Sequence, residues 1–258
     1  MTDGIATAVE ALRARAARAA LLFDFDGTLS PLVDDPAAAR PAPGVAELLD
    51  RLAGTYRTVG VLSGRPVAFL AAHLPATVAV SGLYGLETLV DGAVVDHPDA
   101  ARWRPVVEQA VERATAAATR GGPIDGAVVE PKGLSLTLHV RTQPHLADAV
   151  QALAAQLAEE SGLEVRAAKM SVELHPPIAA DKGTALRRLA AGADAVAFVG
   201  DDVGDLPAFD ALAGLGDGVH RLAVAVDGPE LPDAVRSRAQ LVLADQSEVV
   251  ALLEALLP

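Results

Sequence analysis

Leu21-Leu22-Phe23-Asp24-Phe25-Asp26-Gly27-Thr28-Leu29-Ser30 sets two carboxylates one residue apart at the end of an apolar run. The run predicts a buried strand from Ala20 to Phe25. Side chains alternate along a strand, so Asp24 and Asp26 start on the same side. Gly27 and Thr28 then turn the chain away. Two acids at the carboxyl end of a strand form an anionic claw that needs a cation, and an all-oxygen site suits Mg²⁺. A carboxylate beside a bound metal can attack phosphorus and form an acyl phosphate.

Working outward, strand and helix alternate. A helix is predicted from Gly44 to Gly54, with Val45, Leu48, Leu49 and Leu52 at helical spacing. A strand at Thr58–Leu62, a short helix at Pro66–His73 and a strand at Thr77–Val80 follow. Such alternation implies a parallel sheet covered on both faces, with ligands bound at the carboxyl ends of the strands. From residue 101 the order changes to helix, two strands, helix, two strands: 101–119, 127–130, 134–141, 144–161, 163–168 and 171–175. That order predicts an α+β insertion with an antiparallel sheet. Alternation then resumes to a closing helix over 247–257, with Ser247 as its predicted cap. The expected fold class is α/β: a doubly wound, parallel-sheet, Rossmann-like core at 1–102 and 178–258, interrupted by an α+β cap at 103–177 with an antiparallel sheet and two helices.

The 258 residues suffice for two modest domains, and an apolar fraction of 51% is that of a folded protein. There is no cysteine, which excludes disulfides, thiolate metal sites and a cysteine nucleophile. A formal net charge of −13 disfavours nucleic acid and anionic membranes as partners. Residues 101–176 are nearly balanced, with 8 Lys/Arg against 9 Asp/Glu. No apolar run reaches the length of a membrane span, and the helical-patterned N-terminus lacks a secretory apolar stretch. A cytoplasmic monomer is the expectation.

Three further segments match the claw. Val61-Leu62-Ser63-Gly64-Arg65 follows a strand and opens a helix, so the Ser63 hydroxyl and the backbone N–H groups from Gly64 onward could hold phosphate oxygens. In Asp181-Lys182-Gly183, Asp181 is a predicted helix cap. Lys182 then falls in the first turn, where a cation opposes the helix dipole and a catalytic role accounts for it better than a stabilising one. Phe198-Val199-Gly200-Asp201-Asp202-Val203-Gly204-Asp205 is a second strand ending in acids. Acids gathered without a cation would repel one another strongly.

In this order the segments resemble the four motifs of the haloacid-dehalogenase-like phosphohydrolases. The resemblance implies Asp24 as nucleophile and Asp26 as general acid/base. It implies Ser63, Gly64 and Lys182 at the phosphate, and Mg²⁺ on Asp24, Asp201 and the Asp26 backbone carbonyl. Asp202 and Asp205 would orient Lys182 or a metal-bound water. Ser-Gly-Arg is commoner in the sugar-phosphatase branch, which draws Arg65 into the substrate site.

Within the insertion, Glu130-Pro131-Lys132 with His139-Val140-Arg141, and Lys169-Met170-Ser171-Val172-Glu173-Leu174, resemble the corresponding segments of trehalose-6-phosphate phosphatases. The resemblance runs from about Leu21 to Asp205. It implies Glu130, Lys132, Arg141, Lys169 and Glu173 as sugar contacts, and hydrolysis of trehalose 6-phosphate, a small-molecule sugar phosphate, in trehalose biosynthesis. Two departures stand out. Ser81-Gly82-Leu83-Tyr84-Gly85 carries Tyr84 where that family usually has His, and Gly204-Asp205-Leu206 replaces a usual Thr-Asp-Glu. Tyr84 could hydrogen-bond a sugar. The residues leave open another sugar phosphate, such as sucrose phosphate or a mannosyl- or glucosyl-phosphoglycerate, and a non-catalytic sugar-phosphate sensor. His139 and His175, each in an alternating apolar strand, are expected to be structural.

Overall fold

The structure, a computed structural model, describes residues 3–33, 35–168, 170–228 and 231–258. In chain order the strands are β1 (Ala19–Phe23), β2 (Thr58–Leu62), β3 (Ala79–Gly82), β4 (Glu87–Val90), β5 (Ala93–Asp96), β6 (Val128–Pro131), β7 (Leu136–His139), β8 (Glu164–Ala168), β9 (Ser171–His175), β10 (Ala195–Gly200), β11 (His220–Val226) and β12 (Leu241–Leu243). They form an eight-stranded sheet in the order β12-β11-β10-β1-β2-β3-β4-β5 and a four-stranded sheet in the order β6-β7-β9-β8. The chain divides into two compact units, residues 1–95 with 180–258, and residues 96–179. Among the described residues no helix is long and apolar enough to cross a membrane.

In the first unit, β1 pairs in parallel with both β10 and β2, and β2 with β3, while β3 and β4 run antiparallel. The winding is double because both faces of each central strand are apolar. Ala19, Leu21 and Phe23 enter one core with Ala195, Ala197, Val199, Leu222, Val224 and the helices Val45–Ala53 and Gln246–Leu256. Ala20 and Leu22 enter a second with Val196, Phe198, Ala223 and the helices Lys182–Leu189 and Leu206–Ala213. The alternation of the strand sends neighbouring residues into different cores.

In the second unit the sheet is antiparallel throughout. Leu136, Leu138, Val172 and Leu174 pack on the helices Arg104–Ala117 and Ala147–Ser161. The other face carries a row of directly paired residues: Glu130 opposite Thr137, Thr137 opposite Glu173, and Glu173 opposite Arg166.

Several boundaries differ from expectation. Strand β1 ends at Phe23, although the Asp24 N–H still donates to the Val199 carbonyl at 2.8 Å, and β3 begins at Ala79. The first crossing falls before Asp96 rather than at 102–103, because Asp96 is ion-paired at 2.6 Å to Arg104. The second falls after Ala179 rather than at 177–178. The last helix is capped by Asp245, not Ser247: the Asp245 carboxylate accepts from the Ser247 and Glu248 N–H groups and leaves Ser247 inside the first turn. The β4–β5 hairpin was not anticipated. It turns on Asp91 and Gly92, both at positive φ, as a two-residue hairpin requires.

Candidate active site

The parallel register brings the motif residues together. Phe23 is level with Val199 on one side and Val61 on the other, so the chains leaving β1, β10 and β2 deliver Asp24, Asp201 and Ser63 to one edge of the sheet. This is the carboxyl edge, where open parallel sheets bind ligands.

Lys182 is at the centre. The Asp181 side chain accepts from the Thr184 N–H at 2.7 Å, the Thr184 hydroxyl lies 3.0 Å from the Asp181 N–H, and this capping box starts the helix. Lys182 is 3% exposed and donates to Asp24 at 2.5 Å and to Asp205 at 2.7 Å. Burial alone would push its ammonium down, but the carboxylates of Asp205 and Asp24 outweigh it and hold Lys182 above its ordinary value. Asp24 moves upward as well. Burial is the main cause, and repulsion from Asp205, Asp201 and Asp202 adds to it against the pull of Lys182.

Asp205 is fully buried and does more than touch Lys182. Its second oxygen accepts from the Asp201 and Asp202 N–H groups at 2.9 and 3.2 Å, which fixes the loop that presents Asp201. Asp202 accepts from the Gly204 N–H at 2.8 Å and so caps that turn, and burial raises its carboxyl, with Asp205 reinforcing the shift.

A divalent cation fits this donor set. Carboxylate oxygens of Asp24, Asp201 and Asp205 lie within 4.8 Å of one another. Gly27, at φ +79°, lies so close to Asp201 that a β-carbon there would fall 2.0 Å from a carboxylate oxygen, so only glycine lets Asp201 approach the Asp24–Asp26 loop.

Asp26 and Arg65 meet. The Arg65 guanidinium donates to both Asp26 oxygens at 2.8 and 2.7 Å, donates to the Pro36 carbonyl and lies 4.4 Å from the Phe69 ring centre. Sequence reasoning sent Arg65 to the substrate; the structure pairs its guanidinium with Asp26. The second motif is also more self-contained than expected. Ser63, 1% exposed, accepts from the Arg65 N–H at 3.1 Å. The buried Glu87 carboxylate accepts from the Val67 N–H at 2.8 Å, so the start of that helix is closed by the chain's own acid. Neither the Arg65 nor the Val67 N–H is left for phosphate.

In the second unit, Glu173 is 2% exposed. One of its oxygens accepts from Lys132 at 3.3 Å and from the Thr137 hydroxyl at 3.4 Å, and its other, buried oxygen has no hydrogen-bond partner among the described residues. Glu130 sits 2.7 Å from His139, and His175 is buried against the Pro176 carbonyl at 2.8 Å. Arg141 falls in the turn beyond β7 and is not on the row that joins Glu130 to Glu173. Lys169 lies outside the described residues. Sequence reasoning missed Thr137 and Arg166; counting outward from the β8–β9 turn would have placed Arg166 beside Glu173, whereas Thr137 reaches Glu173 only through the non-local β7–β9 pairing. His73 lies 2.8 Å from the Phe69 carbonyl and stacks on the Phe69 ring, and His97 faces Asp99.

A doubly wound core with an inserted α+β unit, and acids from two parallel strands flanking a buried lysine, define a haloacid-dehalogenase-like hydrolase fold. The chain belongs to the trehalose-phosphatase family, whose pattern it matches over residues 22–242. It is 38% identical over 207 residues to the trehalose-phosphate phosphatase of Mycobacterium avium (strain 104), covering 76% of this chain and 51% of the relative. It is 36% identical over 245 residues to that of Mycobacterium ulcerans (strain Agy99), covering 91% and 60%. The chain therefore spans about half to three fifths of the length of these curated relatives. Among solved structures, the C-terminal domain of a Candida albicans trehalose-6-phosphate phosphatase superposes with a TM-score of 0.76 at 25% identity, covering 97% of this chain and 96% of that one.

Proposed function

We propose that this chain is a magnesium-dependent phosphatase that hydrolyses trehalose 6-phosphate to trehalose and phosphate. The observation that carries the reading is the buried Lys182 joined to Asp24 and Asp205 at 2.5 and 2.7 Å. A lysine buried between two acids costs desolvation, and a structural role alone is met more cheaply by apolar residues. Phosphoryl transfer supplies the reason, since it needs fixed positive charge beside the nucleophile.

Mg²⁺ would be held by Asp24, Asp201 and the Asp26 backbone carbonyl, and when bound it supplies charge neutralisation for phosphate and nucleophile. Lys182 adds a second positive charge at the same carboxylate. Asp24 attacks phosphorus in line while Asp26 donates a proton to the leaving sugar oxygen. Asp26 then takes a proton from water, which opens the aspartyl phosphate. Arg65 holds the ionised Asp26 carboxylate in one orientation, and Asp26 gives up one of these two bonds when it carries the proton. Ser63 and Gly64 line the phosphate.

The sugar is held by residues of the inserted unit: Glu130, Lys132, Arg141, Lys169 and Glu173, together with Thr137. The Glu173 oxygen without a partner among the described residues supports this, because a buried carboxylate oxygen without a donor is costly and a sugar hydroxyl would satisfy it. The mycobacterial relatives named as trehalose-phosphate phosphatases support the choice of sugar. The test is phosphate release across a panel of sugar phosphates with Mg²⁺. A marked preference for trehalose 6-phosphate is expected, and equal rates on sucrose phosphate or glucosyl-phosphoglycerate would remove that substrate.

A further inference from the structure

We propose that Tyr84 is a phosphate-binding residue of this chain, its hydroxyl donating to a phosphoryl oxygen at the Ser63-Gly64 loop, and that Gly204 is the space its ring requires. The inference rests on the site assignment above and extends it to a residue outside the four motifs.

Tyr84 is held in place at a conformational cost. Leu83 and Tyr84 both have positive φ, 48° and 55°, and Gly85 follows at 100°. Left-handed backbone at two consecutive non-glycine residues is unfavourable and persists only where the surroundings impose it. Here they do. Leu83 is fully buried, its N–H donates to the Arg65 carbonyl, and the Tyr84 N–H donates to the Ser63 carbonyl, both at 3.0 Å. The preceding Gly82 could carry no side chain, because a β-carbon would come within 2.6 Å of the Arg65 carbonyl oxygen. The turn is thus docked on the phosphate loop itself.

The ring then reaches three of the motifs. A β-carbon on Gly64 would lie 2.7 Å from both the Tyr84 hydroxyl oxygen and the ring carbon bearing it, so the phenol rests against the bare backbone of the phosphate loop. The Lys182 ammonium is 5.9 Å from the ring centre, at the outer reach of a cation–π contact. A β-carbon on Gly204 would meet the Asp202 carboxylate oxygen at 3.0 Å and the Tyr84 ring at 3.5 Å, so the bare backbone there leaves room beside both. The ring of Tyr84 and the bare backbone of Gly204 therefore adjoin. The bulky phenol occupies room that the missing side chain leaves. It screens Lys182 from water and adds a neutral donor where phosphate arrives.

The test uses the magnesium-loaded protein and needs no turnover. Inorganic phosphate binding is measured by calorimetry for wild type, Tyr84→Phe, Tyr84→Ala, Gly204→Thr and the Tyr84→Ala/Gly204→Thr double variant, with melting temperatures as the folding control. A hydrogen bond to a charged oxygen predicts about tenfold weaker phosphate binding in Tyr84→Phe at an unchanged melting temperature. Gly204→Thr should weaken phosphate binding when Tyr84 is present and have little further effect once Tyr84→Ala has removed the ring, the signature of coupled neighbours. Phosphate affinity unchanged in Tyr84→Phe, or a Gly204→Thr effect equal with and without the ring, overturns the proposal. A wild type that binds phosphate through Tyr84 yet hydrolyses no sugar phosphate would sink the proposed reaction and leave this assignment standing.

Discussion

The two units each bury a lysine–carboxylate pair, and the pairs are built to opposite ends. In the sheet core, Lys182 bonds Asp24 and Asp205 at 2.5 and 2.7 Å, and Asp205 spends its other oxygen on two backbone N–H groups. In the inserted unit, Lys132 and Thr137 approach one Glu173 oxygen at 3.3 and 3.4 Å, while the other oxygen has no partner among the described residues. In the first network Asp205 is saturated by the protein and fixes Lys182, as preorganised electrostatics for the proposed reaction should be. The second keeps hydrogen-bonding capacity in reserve, as a ligand-binding site should. On the function proposed above, charge placed for chemistry is closed on itself, and charge placed for recognition is left incomplete.

This contrast can be broken or sharpened at both ends. The largest effect is expected from Asp24→Asn, which should lower kcat by at least about 10⁴-fold. Phosphate-release kinetics equal to wild type would remove Asp24 as nucleophile. Lys182→Met should come next, leaving two buried carboxylates without their cation. Urea unfolding should show a loss of about 3–5 kcal/mol without magnesium, partly restored when the metal is added. If the variant is as stable as wild type in both conditions, the saturated network does not carry its charge as described.

Magnesium itself gives the third test. Asp24 and Asp202 hold their protons more tightly in the folded chain than the ordinary value of 3.8. The folded state then binds more protons than the unfolded one as pH rises above that value. These acids therefore favour folding at low pH and lose that contribution as pH climbs through their raised values. The melting temperature of metal-free protein should accordingly fall toward neutral pH. Magnesium at a hundredfold excess over its Kd should return about 2.7 kcal/mol, and Asp201→Asn should lack most of that gain. The smallest change belongs to the incomplete site. Glu173→Gln should raise KM for trehalose 6-phosphate by about tenfold or more, with hydrolysis of p-nitrophenyl phosphate unaltered. Equal losses on both substrates would place Glu173 in the scaffold rather than at the sugar.

Much of the core was legible because local chemistry announces it. Asp181 reads as a cap from its own residue type and position, and it caps. Acids that end apolar runs read as one edge of a parallel sheet, and the register of β1, β2 and β10 puts them there. What escaped was non-local. Nothing near Arg65 tells that its partner is Asp26, or that Glu87 closes the Val67 helix start, because each choice is made by tertiary packing. The β4–β5 hairpin is different, since Asp91-Gly92 between apolar runs is a strong turn signal that went unread. The inserted unit was legible as an order of elements, but the row from Glu130 to Arg166 emerges only when β7 and β9 pair across the intervening helix Ala147–Ser161.

The central strand β1 has one neighbour close in sequence, β2, and another, β10, that begins only at Ala195. During synthesis on the ribosome, the nascent chain must carry β1 with one flank unpaired through the entire inserted unit. Contacts of such large sequence separation form late. Asp24 and Asp201 are thus brought together only in the last stage of folding, and a truncated product ending before Ala195 is expected to be inert.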